Sequence, residues 1–138
     1  STSTPIYQSA TFLYETAEEF DAVFGGEMPG YSYSRTGNPT VRAVEAAIAG
    51  LEGARSCVAC SSGMAALPVA LLAAGLGAGD RLIAARDLYA TTYTLLNNVL
   101  RPQGVKITYV DLCQPGALEE ALTAGDVRAI LTRSDGEA

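Results

Sequence analysis

The run Tyr31-Ser32-Tyr33-Ser34-Arg35-Thr36-Gly37-Asn38-Pro39-Thr40 combines several hydroxyl groups, one guanidinium and a turn-forming Asn-Pro pair. An arginine side chain can bind two phosphate oxygens at once, and tyrosine and serine hydroxyls can donate to the remaining oxygens. Asn38-Pro39 favours a turn, and Thr40 is a candidate N-cap for a following helix. The run therefore predicts a phosphate-binding loop directly before a helix. The alternative is a tyrosine-rich surface loop before an ordinary capped helix.

Composition narrows the classes of function. The chain has 138 residues, of which 49% are hydrophobic, so it can form one compact domain with a core. Its net charge of −6 argues against a nucleic-acid partner. The absence of histidine from this sequence excludes a Ser-His-Asp triad and an imidazole metal site within it, and no metal is expected. Glycine, proline or charge interrupts every long apolar stretch, so we expect no membrane partner and a cytoplasmic location.

Apolar spacing and helix-breaking residues predict alternating helices and strands after an irregular arm. The arm contains a short helix over Ala17–Phe24, begun by Thr16. A helix after Thr40 should pack an apolar face against the rest of the fold and stop near Gly53; this face consists of Val41, Val44, Ile48 and Leu51. The predicted strands span residues 56–60, 81–85, 105–110 and 127–131, and the helices between them span residues 64–76, 91–100 and 116–123. This alternation predicts an α/β fold with a mostly parallel sheet and helices on both faces.

Two details of this pattern carry their own expectations. Pro68 lies inside a predicted helix and cannot donate to the carbonyl four residues earlier, so we expect a kink or a restart near it. Cys57 and Cys60 lie in the first predicted strand, which looks buried, and we expect reduced structural thiols rather than a redox pair.

Ser61-Ser62-Gly63-Met64-Ala65-Ala66 is a second candidate phosphate site, because it opens a predicted helix after a strand. A helix N-terminus leaves backbone N–H groups free and carries a partial positive charge. Gly63 would let an anion approach the backbone closely. The alternative for this turn is simple packing, since small residues are common in such turns.

Tyr89 follows the strand predicted over residues 81–85, at the edge where parallel sheets collect their ligand-binding loops. Its ring could stack on a flat heteroaromatic group. The alternative is a tyrosine buried in the core.

These three segments resemble, in order and spacing, the signatures of the Cys/Met metabolism family of pyridoxal-phosphate-dependent enzymes. The first resembles its Tyr-Ser-Arg-x-x-Asn-Pro-Thr signature and the second its Ser-Gly-Met-Ala-Ala segment. The segment around Tyr89 is similar to Leu-Tyr-Gly-Gly-Thr-Tyr, although Ala90-Thr91 stands where two glycines are common. The resemblance to cystathionine γ-synthases, γ-lyases and acylhomoserine sulfhydrylases extends from Pro5 to about Val127. Thr91 stands where methionine γ-lyases tend to carry cysteine, which slightly disfavours that member.

The resemblance implies a fold-type I enzyme, with an arm over residues 1–40 and an incomplete pyridoxal-phosphate-binding large domain over residues 41–138. It implies that Tyr33 and Arg35 reach the cofactor phosphate of a partner subunit, in a homodimer or homotetramer. Gly63 and Met64 would hold the phosphate of their own subunit, where Tyr89 would stack on the pyridine ring and assist proton transfer. The implied substrates are small sulfur-containing amino acids such as cystathionine, homocysteine or acylhomoserines, with elimination or replacement at the β or γ carbon.

This chemistry requires a lysine that forms a Schiff base with the cofactor, and the sequence contains only Lys106. Lys106 lies in a strand pattern that predicts an ordinary exposed or edge lysine. In the resembled family the reactive lysine comes later in the chain, so we expect this sequence to be the N-terminal portion of such an enzyme. The alternatives are a catalytically inactive fragment or pseudoenzyme that keeps only the scaffold and a phosphate site, and a small nucleotide-binding α/β module.

Overall fold

A computed structural model of the chain describes residues 4–133. By its internal contacts the chain divides into two compact units, whose boundary lies between Ala59 and Cys60. The expected division into an arm over residues 1–40 and a large domain over residues 41–138 stays a prediction.

The first unit begins with an irregular arm that contains α1, Ala17–Phe24, at the bounds that the sequence predicted. The Thr16 hydroxyl accepts a hydrogen bond from the Glu19 N–H at 3.2 Å and so caps the helix. An isolated antiparallel bridge pairs Thr11 with Tyr33 and so joins the beginning of the arm to the Tyr31–Thr40 run at its end.

Helix α2, Pro39–Leu51, closes the first unit. The prediction that Thr40 caps it is wrong: Asn38 is the N-cap, and its side chain accepts from the Thr40 N–H at 2.9 Å. Pro39 occupies the first helical turn, where its missing N–H costs nothing. The helix stops as predicted, because Gly53 adopts a left-handed φ of 62° and the Ala54 N–H returns to the Ala49 carbonyl at 2.8 Å.

Two expectations for this part of the chain are wrong. The apolar face of α2 is exposed, with relative exposures of 43–83% at Val41, Val44, Ile48 and Leu51, and Ala49 is the buried residue of the helix. Residues 56–60 form no strand, because a strand needs a neighbour to hydrogen-bond with and none of the described strands pairs with them. Val58 is accordingly 68% exposed, and Cys57 and Cys60 are only half-buried, as free thiols.

The second unit contains a three-stranded sheet of β1, Arg81–Ala85, β2, Lys106–Val110, and β3, Ala129–Leu131. The spatial order is β2-β1-β3, and both pairings are parallel, as predicted. Residues 82–85 of the central strand are fully buried, which is typical of a parallel strand covered on both faces. Lys106 is exposed on an edge strand of this sheet, as expected.

The helices of this unit are α3, Gly63–Ala73, α4, Ala90–Leu95, and α5, Ala117–Thr123, and a π-helical turn over Leu96–Leu100 continues α4. One face of the sheet packs against α3 and the π-helical turn; this core consists of Leu71, Leu76, Leu82, Ala84, Leu96, Leu100 and Val105. On the opposite face, the Arg81 guanidinium donates to the Ala121 carbonyl of α5 at 2.7 Å. The expected helices on both faces are therefore confirmed. Helix α3 runs through Pro68 without the restart that the sequence suggested.

Within residues 4–133, no helix combines the length and the apolar character that a bilayer crossing requires. The same residues contain no group of three or more acidic or cysteine side chains that could hold a metal ion.

Candidate functional site

The predicted phosphate-binding loop is a tight turn around the Tyr33 carbonyl. That carbonyl accepts hydrogen bonds from the Thr36 N–H at 2.9 Å, the Gly37 N–H at 3.1 Å and the Thr36 hydroxyl at 2.8 Å. The Arg35 guanidinium carbon lies 4.7 Å from the centre of the Tyr33 ring, and both residues are exposed. The structure thus brings the two predicted phosphate ligands together as a cation–π pair on the surface of the first unit.

The polar ends of this pair are available to a ligand. Arg42 pairs with Glu45 and Arg128 with Asp80, and no ion pair of Arg35 is found within residues 4–133. The Tyr33 hydroxyl also makes no hydrogen bond within residues 4–133. An exposed guanidinium and a phenol with unused donors are suited to bind an anion.

The expectation that serine hydroxyls of this run donate to phosphate is wrong for Ser34. Its hydroxyl donates to the Ser9 carbonyl at 2.5 Å, and its backbone N–H donates to the Ala10 carbonyl at 2.8 Å. Ser34 therefore fastens the loop to the arm instead of facing a ligand.

The second candidate site is the N-terminus of α3. Ser62 caps the helix by accepting from the Ala65 N–H at 3.1 Å, and the Ala66 N–H reaches the Ser62 carbonyl. No hydrogen bond within the described residues uses the N–H groups of Gly63 and Met64. A Cβ added at Gly63 would meet no atom within 4 Å, so the space beside the Gly63 Cα is open. Two free amides at the positive end of a helix can hold an anion such as phosphate.

Tyr89 lies where the sequence placed it, just beyond the carboxyl end of β1 and at the N-cap position of α4. It is 64% exposed, so the alternative of a core tyrosine is wrong. The loop before it is closed by Tyr93, whose hydroxyl donates to the Arg86 carbonyl and whose ring stacks on Tyr109 at 4.9 Å. The Tyr89 ring therefore lies on the surface, next to a loop that the Tyr93 contacts hold in place. No hydrogen bond or ring contact within residues 4–133 joins it to Gly63 or Met64.

Sequence reasoning missed Glu45. Its side chain is only 12% exposed and accepts from the Arg42 guanidinium at 3.2 Å and from the Ala59 N–H at 3.0 Å. The Ala59 N–H lowers the pKa of the Glu45 carboxyl, burial opposes this shift, and Arg42 adds to it. The spacing of Arg42 and Glu45 on a helix signals their pairing. Nothing in the sequence indicates the hydrogen bond from the Ala59 N–H. This bond joins residues 56–60, which form no strand, to α2.

The sequence pattern of the Cys/Met metabolism PLP-dependent enzyme family matches residues 1–137. The chain belongs to this family. The expected cofactor class is thereby confirmed, because the family depends on pyridoxal phosphate. The expected fold type is also confirmed, since the similar solved structures are fold-type I pyridoxal-phosphate enzymes.

The similar proteins include several members of this family. An L-methionine gamma-lyase of Porphyromonas gingivalis is 40% identical over 120 residues, which cover 87% of this chain and 30% of that protein. A cystathionine gamma-lyase from Lactobacillus plantarum, solved with L-serine, matches with a TM-score of 0.74 and 38% identity over 88% of this chain and 29% of its own. A Campylobacter jejuni protein, a candidate O-acetylhomoserine (thiol)-lyase, carries an N'-pyridoxyl-lysine-5'-monophosphate group. It matches with a TM-score of 0.75 and 31% identity over 88% of this chain and 30% of its own.

The chain spans about 30% of the length of the relatives that it matches. Thr91 slightly disfavours a methionine γ-lyase. Methionine gamma-lyases are nevertheless among the similar proteins, so the overall sequence similarity does not support that argument. The choice among family members stays a prediction.

Proposed function

We propose that the complete protein carrying this chain is a pyridoxal-phosphate-dependent enzyme of sulfur amino-acid metabolism. It would catalyse elimination or replacement at the β or γ carbon of a small substrate such as cystathionine, homocysteine or an acylhomoserine. The names of the relatives support this reaction class, and the free donors at Arg35, Gly63 and Met64 support a phosphate-bearing cofactor. The protein would work in the cytoplasm as a homodimer or homotetramer.

The residues of this chain fit such a cofactor on geometric grounds. Arg35 would bind two phosphate oxygens through its planar fork, and the Tyr33 hydroxyl would donate to the third, both toward the site of a partner subunit. Gly63 and Met64 would donate their free amides to the phosphate of their own subunit, and the space beside the Gly63 Cα is open. The exposed ring of Tyr89 would stack on the pyridine ring, and its phenol would move a proton.

When bound, pyridoxal phosphate supplies an electron-withdrawing ring that favours bond breaking at the substrate Cα. The contribution of this chain is to bind and orient that ring. Charge-assisted hydrogen bonds fix its phosphate end, and stacking fixes the plane of the ring, so that the reacting bond is held in one orientation.

The observation that carries the proposal is the exposed Arg35 guanidinium, which stacks on Tyr33 and is paired with no carboxylate among the described residues. Its removal tests the proposal in the complete protein. Arg35→Ala should weaken the affinity for pyridoxal phosphate by roughly 10- to 150-fold, the equivalent of about 1.5–3 kcal/mol for a hydrogen bond to a charged group. The affinity for pyridoxal, which lacks the phosphate, should change little.

Arg55→Ala is the matched control, because Arg55 is also exposed in the first unit and its side chain makes no hydrogen bond or ion pair within residues 4–133. Titration of the cofactor-free protein, followed by the absorbance of the bound cofactor, measures both affinities. A wild-type protein that binds pyridoxal phosphate no more tightly than pyridoxal would contradict the proposed function.

A further inference from the structure

Asn38 is one of two buried polar residues in the described chain, with a relative exposure of 6%; the other is Thr92. A buried amide is costly unless its donors and acceptor are satisfied. The Asn38 Oδ1 accepts from the Thr40 N–H at 2.9 Å. Its Nδ2 donates to the Tyr7 carbonyl at 3.0 Å and to the Ser34 hydroxyl oxygen at 2.9 Å. Every polar atom of this side chain therefore has a partner.

The partners also determine which way the amide points. In the reverse orientation the Asn38 NH2 group would face the Thr40 N–H, placing donor against donor, and the oxygen would face the Tyr7 carbonyl, placing acceptor against acceptor. The side chain is thus locked in one orientation by the start of α2 on one side and by the arm on the other.

Ser34 is the partner that matters for the phosphate loop, because it lies between Tyr33 and Arg35 in the chain. Three hydrogen bonds hold it: its N–H reaches the Ala10 carbonyl, its hydroxyl donates to the Ser9 carbonyl, and the same hydroxyl accepts from Asn38. These bonds fix the backbone from which the two phosphate-binding side chains project.

The arm is held against the helix by a second residue, Thr40. Its hydroxyl accepts from the Tyr7 N–H at 2.9 Å and donates to the Pro5 carbonyl at 3.1 Å. Asn38 contacts all three parts of this arrangement, namely the loop at Ser34, the arm at Tyr7 and the helix at Thr40.

We propose that Asn38 is a positioning residue that holds Tyr33 and Arg35 ready to bind the cofactor phosphate, an inference that rests on the function proposed above. Asn38 does not contact the ligand itself. It orders the loop before the phosphate arrives, so that less conformational freedom is lost on binding. Without its two donors, the loop keeps both phosphate-binding groups but holds them less firmly.

Asn38→Ser in the complete protein tests this role. Serine is as good an N-cap as asparagine and adds no charge, but its hydroxyl is too short to reach both Tyr7 and Ser34. The affinity for pyridoxal phosphate should fall about tenfold, as expected for the loss of a buried hydrogen-bonding partner. The affinity for pyridoxal should change by less than about twofold, because pyridoxal has no phosphate for the loop to bind. A general loss of stability would instead weaken the binding of both compounds.

Asn97→Ser is the matched control. The Asn97 Nδ2 also donates twice, to the Tyr93 carbonyl at 2.9 Å and to the Tyr109 hydroxyl at 2.8 Å, but it lies in the second unit. Its substitution should leave the ratio of the two affinities unchanged. An equal change of the ratio in both variants would show that any lost asparagine has this effect and would overturn the inference.

Ser34→Ala provides a second, milder test, because it removes the oxygen that receives the Asn38 donor and keeps the helix cap. It should lower the preference for pyridoxal phosphate over pyridoxal as Asn38→Ser does. In the double variant the two effects should be less than additive, because both changes remove the same Asn38–Ser34 hydrogen bond, while Ser34→Ala also removes the bond to the Ser9 carbonyl. If Asn38→Ser does not fold, an unchanged ratio in Ser34→Ala overturns the inference.

A wild-type protein without preference for the phosphorylated compound would refute the proposed function. A wild-type preference that Asn38→Ser retains in full would refute this inference alone.

Discussion

Leu96→Ala should destabilise the second unit strongly, because Leu96 is completely buried in its core. The change removes three carbon atoms from water-excluded contact with a cluster that includes Leu82 and Ala84. Transfer of those carbons accounts for about 2.4 kcal/mol at about 0.8 kcal/mol each. The cavity left behind raises the total free energy of unfolding lost to about 3–5 kcal/mol, the range measured for buried leucines. That is a large part of the stability of a single domain.

Urea unfolding followed by far-UV circular dichroism measures this loss. With a urea dependence of about 1–3 kcal/mol per molar, the transition that includes β1 should move to lower urea by at least about 1 M. Leu72→Ala is the matched control, since Leu72 lies on α3 and is 65% exposed. It should change stability by no more than about 0.5 kcal/mol. Equal losses in the two variants would refute the assignment of Leu96 to the core.

Two further predictions concern α2 and its surroundings. The bond from Ala59 holds the pKa of Glu45 below its usual value of 4.5, so the ionised form stabilises the fold above about pH 4.5, and this contribution is lost as the pH falls through the lowered pKa. Unfolding measured between pH 6 and pH 3 should therefore show a shallower loss of stability in Glu45→Gln than in the wild type, whereas Glu52→Gln, at the exposed end of the same helix, should follow the wild type. Thermal unfolding should also separate two glycines: Gly50→Ala should stabilise by about 0.5–1 kcal/mol because helical space is open there, and Gly53→Ala should destabilise by about 1 kcal/mol or more because φ is 62°. Equal shifts from both would argue against the left-handed helix end.

Local signals predicted the second unit well. The mostly apolar residues 81–85 predict a strand of a parallel sheet. The structure forms β1 over these residues, with parallel neighbours on both sides. The helix over Ala17–Phe24 was equally predictable, since Thr16 and the acidic residues after it are a complete N-terminal signal. In each case one short segment determines its own conformation.

Prediction failed where the outcome depended on a distant partner. Residues 56–60 have the composition of a strand, but strand formation requires a neighbour, and among the described strands they have none. The apolar spacing of α2 correctly indicates a helix, yet it cannot state which residues cover the apolar face, and that face is exposed. Thr40 was the expected cap of α2, but the backbone conformation places Asn38 at the N-cap position.

The family and the residue types of the phosphate loop follow from the amino-acid sequence alone, because the family pattern matches residues 1–137 and the arginine, tyrosine and Asn-Pro turn can be identified without a structure. The sequence could not determine which polar groups remain free for a ligand. Only the folded chain shows that Ser34 and Asn38 bond to other parts of the protein, while Arg35 and the amides of Gly63 and Met64 have no hydrogen-bond or ion-pair partner within residues 4–133. The physical reason is that a hydrogen bond needs a donor and an acceptor. For Ser34 and Asn38 the acceptors are the Ser9 and Tyr7 carbonyls, which only folding brings close to these side chains.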